Sequence, residues 1–106
     1  MPCEQYSIEG SDEYFEGFVV LREGHQRRVQ RFLEGHARSS PTRGPYPGWK
    51  ALRGAQAGIY QFMVSAADGL RLLYQVDEEQ CVVRLEYLGT HPTWSRSRDR
   101  GSLQNF

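Results

Sequence analysis

IYQFMVSAADGLRLLYQVDEEQCVVRLEYLGTHPTW, residues 59–94, decides the fold. Three runs rich in β-branched and aromatic residues, 59–65, 70–76 and 81–88, are split by Ala67-Asp68-Gly69 and Asp77-Glu78-Glu79-Gln80. Short runs joined by short polar loops containing Gly or acidic residues predict an antiparallel meander. Alternation agrees: Leu70, Leu72, Tyr74 and Val76 face one way, and Arg71, Leu73 and Gln75 the other. In the third run Val83, Leu85 and Tyr87 are expected to oppose Val82, Arg84, Glu86 and Leu88. The chain then leaves through Gly89-Thr90-His91-Pro92, which carries an imidazole off the sheet edge toward an arginine-rich tail.

Ahead of the meander, residues 6–9 alternate Tyr6 and Ile8 and predict a short edge strand. Ser11 is a good helix N-cap, with Asp12, Glu13 and Glu16 where the helix dipole favours acids. Tyr14, Phe15, Phe18, Val19 and Arg22 follow helical spacing, an apolar stripe broad enough to bury, and the helix is expected to stop near Gly24. A second helix fits residues 25–37, with Val29, Phe32 and Leu33 inward and Arg27, Arg28 and Arg31 outward. Residues 39–47 hold three of the five prolines and predict a loop. Residues 48–54 fit either a short strand or a turn. The expectation is α+β: an N-terminal strand and an αα-hairpin on one face of a sheet of three to four antiparallel strands. At 106 residues the chain predicts a single domain, 1–106, with a polar tail, 95–106, frayed at its end.

The longest wholly apolar run, Phe18-Val19-Val20-Leu21, is far short of a membrane span. The N-terminus MPCEQYSIEG lacks the basic and apolar regions of a secretory signal. Cys3 and Cys81 have no metal-ligand spacing, which favours free or buried thiols in a reducing cytoplasm over a disulfide framework.

The net charge is +0, yet the charges are segregated. Residues 1–23, 24–60, 61–90 and 91–106 carry −5, +6, −3 and +2. A neutral average built from such blocks still presents a cationic face to a polyanion. Of the 13 basic residues only Lys50 is lysine. Arginine's planar fork suits phosphate and base stacking, although a GC-rich genome produces the same bias.

The series Lys50-Ala51-Leu52-Arg53-Gly54, Ile59-Tyr60-Gln61-Phe62, Leu70-Arg71-Leu72-Leu73-Tyr74-Gln75-Val76 and Leu88-Gly89-Thr90-His91-Pro92-Thr93-Trp94 resembles the RelE/ParE superfamily of bacterial type II toxins. The resemblance covers residues 6–98. It implies one of two activities. Most members cut mRNA in the ribosomal A site, and a second branch poisons DNA gyrase and cuts nothing. Both are neutralised by an antitoxin that wraps the toxin.

The resemblance implies that Arg71 contacts the scissile phosphate. Gln61 and Met63 fall near positions where RelE-type members keep catalytic lysines or other basic groups, so a lysine-based mechanism does not transfer. His91 falls near a site that some members fill with Arg and others, of the HigB and YafQ kind, with His; an aromatic follows that His, here Trp94.

The residues suit those jobs. Metal-free RNA cleavage needs a base for the 2′-hydroxyl, an acid for the 5′-oxygen and a cation for the phosphorane. Histidine, with an ordinary pKa of about 6.5, serves in either proton role. A fixed arginine stabilises the charge, an exposed Trp94 stacks on an extruded base, and Arg53, Arg96, Arg98 and Lys50 hold phosphates. The expected partners are an antitoxin, mRNA and the ribosome, with no membrane, metal or small-molecule cofactor. Each residue also has a plainer role: His91 capping the strand end, Arg71 pairing with Glu86 or Asp68, Trp94 plugging the core. His25 and His36 are expected to be solvated helix residues rather than metal ligands, and Tyr60 and Tyr74 core or rim aromatics. The alternatives to a nuclease are a ParE-like gyrase inhibitor and an inactive binding module of the same fold.

Overall fold

Ser11 begins the helical part of the chain and moors it to the sheet. Its Oγ accepts the Tyr14 amide N–H at 3.1 Å and donates to the Glu86 carbonyl at 2.9 Å. The computed structural model describes residues 3–90. Its elements are β1 (Ser7–Gly10), α1 (Asp12–Val19), α2 (Glu23–Phe32) continued by a π-helical turn (Leu33–Ala37), β2 (Trp49–Ala51), a 3-10 turn (Gly54–Gln56), β3 (Tyr60–Ser65), β4 (Leu70–Asp77) and β5 (Val82–Gly89). The first helix therefore ends five residues before Gly24, and the second starts two residues before His25.

The sheet runs β1-β5-β4-β3-β2. Strands β2 to β5 form the expected antiparallel meander. To it β1 adds a fifth strand at the edge, parallel to β5, with Ser7 opposite Val82 and Gly10 opposite Leu85. That parallel pairing corrects the reading of the cysteines. It carries the start of the chain to the β4–β5 turn, where Cys3 and Cys81 form a disulfide with Cα atoms 5.7 Å apart. Tyr6 reinforces the contact by donating its hydroxyl to Glu78 Oε1 at 2.7 Å.

The β5 alternation is also corrected. The register against β4 shifts between Leu73 and Tyr74, so Leu73 pairs with Tyr87 and Tyr74 with Leu85. Glu86 is the extra residue of a β-bulge, which returns Leu88 to the helix-covered side beside Val83 and Leu85 while Tyr87 joins Leu73 on the other.

Helix α2 supplies the centre of the core. Phe32 stacks on Phe62 with centroids 4.2 Å apart and planes 3° from parallel, flanked by Val29, Leu33 and the fully buried Tyr74. The expectation that His36 is solvated is wrong. It lies one helical step beyond Phe32 and Leu33, is buried against Phe32 and Tyr46, and its Nε2 lies 2.7 Å from the Arg43 carbonyl. A carbonyl only accepts, so that nitrogen carries the proton. The ring thereby ties the proline-rich loop to α2. The α1 stripe is only partly used: Tyr14 is buried, whereas Phe15 and Val19 are 53% and 69% exposed. No helix among the described residues is long and apolar enough to cross a membrane.

Candidate functional site

Strand register sets the sheet face that each candidate residue occupies. Leu70, Leu72 and Tyr74 of β4 enter the core beneath the helices, so Arg71 points to the opposite face. Its cross-strand neighbours there are Met63 on β3 and Gly89 on β5. Arg71 is half-buried, and its Nε donates to the Gly69 carbonyl at 3.3 Å. The ion pairs weighed for it from sequence do not form. Asp68 instead accepts the Ser65 hydroxyl at 3.2 Å and faces His25 Nε2 at 3.9 Å. Among the described residues no carboxylate lies within ion-pair distance of Arg71.

Arg84, on the same face, is the contrast. Its guanidinium sits between Asp77 at 3.2 Å and Glu9 at 3.6 Å. The Asp77 carboxyl is held below its usual range, first by the Gln80 amide N–H and then by Arg84. Arg84 is thus neutralised in place, whereas Arg71 has no such carboxylate among the described residues.

The row next to Arg71 is Lys50, Gln61, Leu73 and Tyr87, in register across β2, β3, β4 and β5. Residues 48–54, ambiguous from sequence, resolve into strand β2 and the 3-10 turn. That places the exposed Lys50 on the Arg71 face. Two strand spacings, roughly 10 Å, separate their columns. Arg53 is exposed in the connection after β2. Gln61 is 4% exposed and pairs with Leu73, which with Ile59, Leu52 and Tyr87 forms a small apolar cluster.

Sequence reasoning missed Tyr87. A Cβ on Gly89 would lie 2.6 Å from the Tyr87 hydroxyl, so the phenol lies over the bare Cα of the residue paired with Arg71. A glycine two residues after a tyrosine on one strand face was the available signal. His91, Trp94, Arg96 and Arg98 lie outside the described residues. Among the described residues no group of three or more His, Cys, Asp or Glu side chains gathers to hold a metal.

No family model and no curated protein matches this sequence. Solved structures do. The YoeB/ParE toxin from Agrobacterium tumefaciens matches with a TM-score of 0.68 at 15% identity, over 80% of this chain and 98% of that one. A chain of the RelBE2 toxin–antitoxin complex from Mycobacterium tuberculosis matches with 0.64 at 21% identity, over 82% and 99%. The archaeal RelE–RelB complex from Pyrococcus horikoshii matches with 0.65 at 18% identity, over 84% and 98%. This chain has the RelE/ParE toxin fold. Within that fold Gln61 and Met63 face the same side as Arg71, so β3 brings no basic side chain to this surface.

Proposed function

We propose that this protein is the toxin of a type II toxin–antitoxin pair and an endoribonuclease that cleaves mRNA on the ribosome in the cytoplasm without a metal. The observation that carries the reading is the Arg71 guanidinium. It is half-buried, has no carboxylate partner among the described residues, and stands opposite Gly89, two residues before His91 in sequence. A phosphodiester is the anion that such a group takes from an RNA chain.

In this reading the 2′-oxygen loses its proton to a base and attacks phosphorus, and the P–O5′ bond breaks. The departing 5′-oxygen takes a proton from an acid, leaving a 2′,3′-cyclic phosphate and a 5′-hydroxyl. His91 serves one proton transfer, and Arg71 stabilises the charge that gathers on the phosphoryl oxygens. Trp94 stacks on a displaced base, and Lys50, Arg53, Arg96 and Arg98 hold neighbouring phosphates. An antitoxin is the protein partner, as in the RelE–RelB complex of similar fold.

Purified protein added to translating ribosomes is expected to yield cut mRNA, mapped by primer extension, and His91→Ala and Arg71→Ala are expected to abolish the cut. A second reading, a ParE-like gyrase inhibitor, is favoured by the buried Gln61 and by Met63 on β3, where RelE-type members carry basic groups. Intact mRNA together with inhibited DNA supercoiling would replace the first reading with the second. Neither activity would leave a binding module of this fold.

A further inference from the structure

On the other side of the sheet from Arg71, a groove opens between α2 and the proline-rich loop. Arg28, Arg31, Tyr46, Pro47 and Phe62 line it. The two arginines are one helical turn apart and exposed. Three other arginines of the described residues are engaged by carboxylates: Arg27 with Glu23, Arg38 with Glu34, and Arg84 with Asp77 and Glu9. Arg28 and Arg31 have no carboxylate within ion-pair distance among the described residues.

The aromatic wall is fixed in advance. The Tyr46 ring lies 4.8 Å from the His36 ring, 5.3 Å from Phe32 and 5.8 Å from Phe62. The His36 bond to the Arg43 carbonyl holds the loop that carries it. Tyr46 is nevertheless only half-buried, and Pro47 beside it is exposed. Two exposed forks with no carboxylate among the described residues, beside a fixed ring and a flat proline, suit a phosphodiester with its base laid against the wall. An acidic peptide would use the charges and leave the planar wall idle.

We propose that the Arg28–Arg31–Tyr46 groove is a second RNA-binding site, taking the backbone of a single strand or an exposed loop away from the bond that is cut. The choice of RNA over other polyanions rests on the function proposed above. Because the groove and Arg71 lie on opposite faces, the two sites engage different stretches of RNA.

The test uses a fluorescent single-stranded RNA carrying 2′-O-methyl groups, which cannot be cut by the mechanism above. Binding is read by anisotropy as salt is varied. The Arg28→Ala/Arg31→Ala variant is expected to weaken binding at least tenfold at low salt. It should also flatten the dependence of log affinity on log salt by about 1.4, two contacts at roughly 0.7 each for a single strand. Tyr46→Leu should weaken binding about fivefold or more and leave the slope unchanged, because stacking carries no counterion release. Unchanged circular dichroism would show that the exposed arginines were removed without loss of fold.

Affinity and slope equal to wild type in the double variant would overturn the site. So would wild-type protein that fails to bind the RNA, or that binds poly-glutamate through these arginines in its place. The two proposals fail separately. RNA held in the groove by a protein that cuts nothing sinks the nuclease reading alone, and cutting indifferent to the groove variants, with unchanged binding, sinks the groove alone.

Discussion

Tyr74 Oη accepts a hydrogen bond from Trp49 Nε1 at 2.8 Å and donates its own to the Pro41 carbonyl. One buried phenol thus joins the β4 core, the edge strand β2 and the start of the proline-rich loop. Tyr74→Phe keeps the ring among Phe32, Tyr60 and their neighbours but strands an indole N–H and a carbonyl. An unsatisfied buried group costs about 1–3 kcal/mol, so denaturant unfolding of Tyr74→Phe should show a loss in that range. No change in midpoint would mean that water replaces the phenol at no cost.

Buried phenols also set the alkaline limit of the fold. Burial pushes Tyr14 up to about 12, and burial raises Tyr74 as well, against the opposing pull of the Trp49 N–H. In the unfolded chain both ionise near pH 10. Their folded values are raised, so the stability they contribute is complete below about pH 10 and is lost as pH climbs through the folded values. Tyrosinate absorbance should therefore rise together with loss of far-ultraviolet dichroism, in one cooperative step. Tyr14→Phe should move that step to higher pH, and an unmoved midpoint would contradict the linkage.

The Cys3–Cys81 bridge closes a loop with a sequence separation of 78. Loop-closure entropy gives a cross-link of that span about 4–5 kcal/mol, and measured bridges commonly return 2–4. Reductant, or Cys3→Ser, should therefore lower the thermal midpoint by about 10 °C or more. The fold should survive, since Tyr6 still binds Glu78 and β1 still pairs with β5. Equal midpoints in oxidised and reduced protein would refute the staple.

Gly17 sets helix propensity against packing. An added Cβ would lie 2.0 Å from the Leu88 carbonyl oxygen and 3.2 Å from Leu88 Cβ, so α1 would have to lift off β5. Propensity favours Gly17→Ala by up to about 1 kcal/mol, while overpacking costs about 1–3 kcal/mol. The variant should be less stable than wild type in urea unfolding. A more stable variant would show that α1 rides loosely on the sheet.

What could be read from the sequence was local. Period-two alternation in residues 70–76 and the Ser11 cap announced the meander and the helix start, because each signal lies within one element. Pairing of β1 with β5 could not be read, since it joins residues more than 70 apart, and the disulfide depends on it. Glu86 looks like an ordinary strand residue, yet as a bulge it turns Tyr87 toward the face of Leu73 and leaves Leu88 to the helices. His36 was legible in principle, spaced from Val29, Phe32 and Leu33 as an inward residue, but its polarity argued for solvent. The face that Arg71 occupies followed from alternation alone. Lys50 joined it only when β2, three residues long and too short for a periodicity argument, proved to be a strand.

Arg71 and Arg84 offer the sharpest test of the candidate site, because they carry the same charge on the same sheet face in different states. Arg84 is locked between Asp77 and Glu9 at the β1 end of the sheet. Arg71 has no carboxylate partner among the described residues and donates to the Gly69 carbonyl. If net positive charge on this face were all that RNA cleavage required, the two alanine variants would lose activity alike. If a fixed, unneutralised guanidinium beside the scissile phosphate is required, Arg71→Ala should lose about two to three orders of magnitude in rate. Arg84→Ala should then stay within a fewfold of wild type, since its exposed ion pairs are worth about 0–1 kcal/mol. Arg71→Lys separates charge from geometry: it keeps the cation but not the fork and should recover only part of the rate. Cut mRNA measured at saturating protein would decide it, and equal losses at positions 71 and 84 would remove Arg71 from the catalytic role.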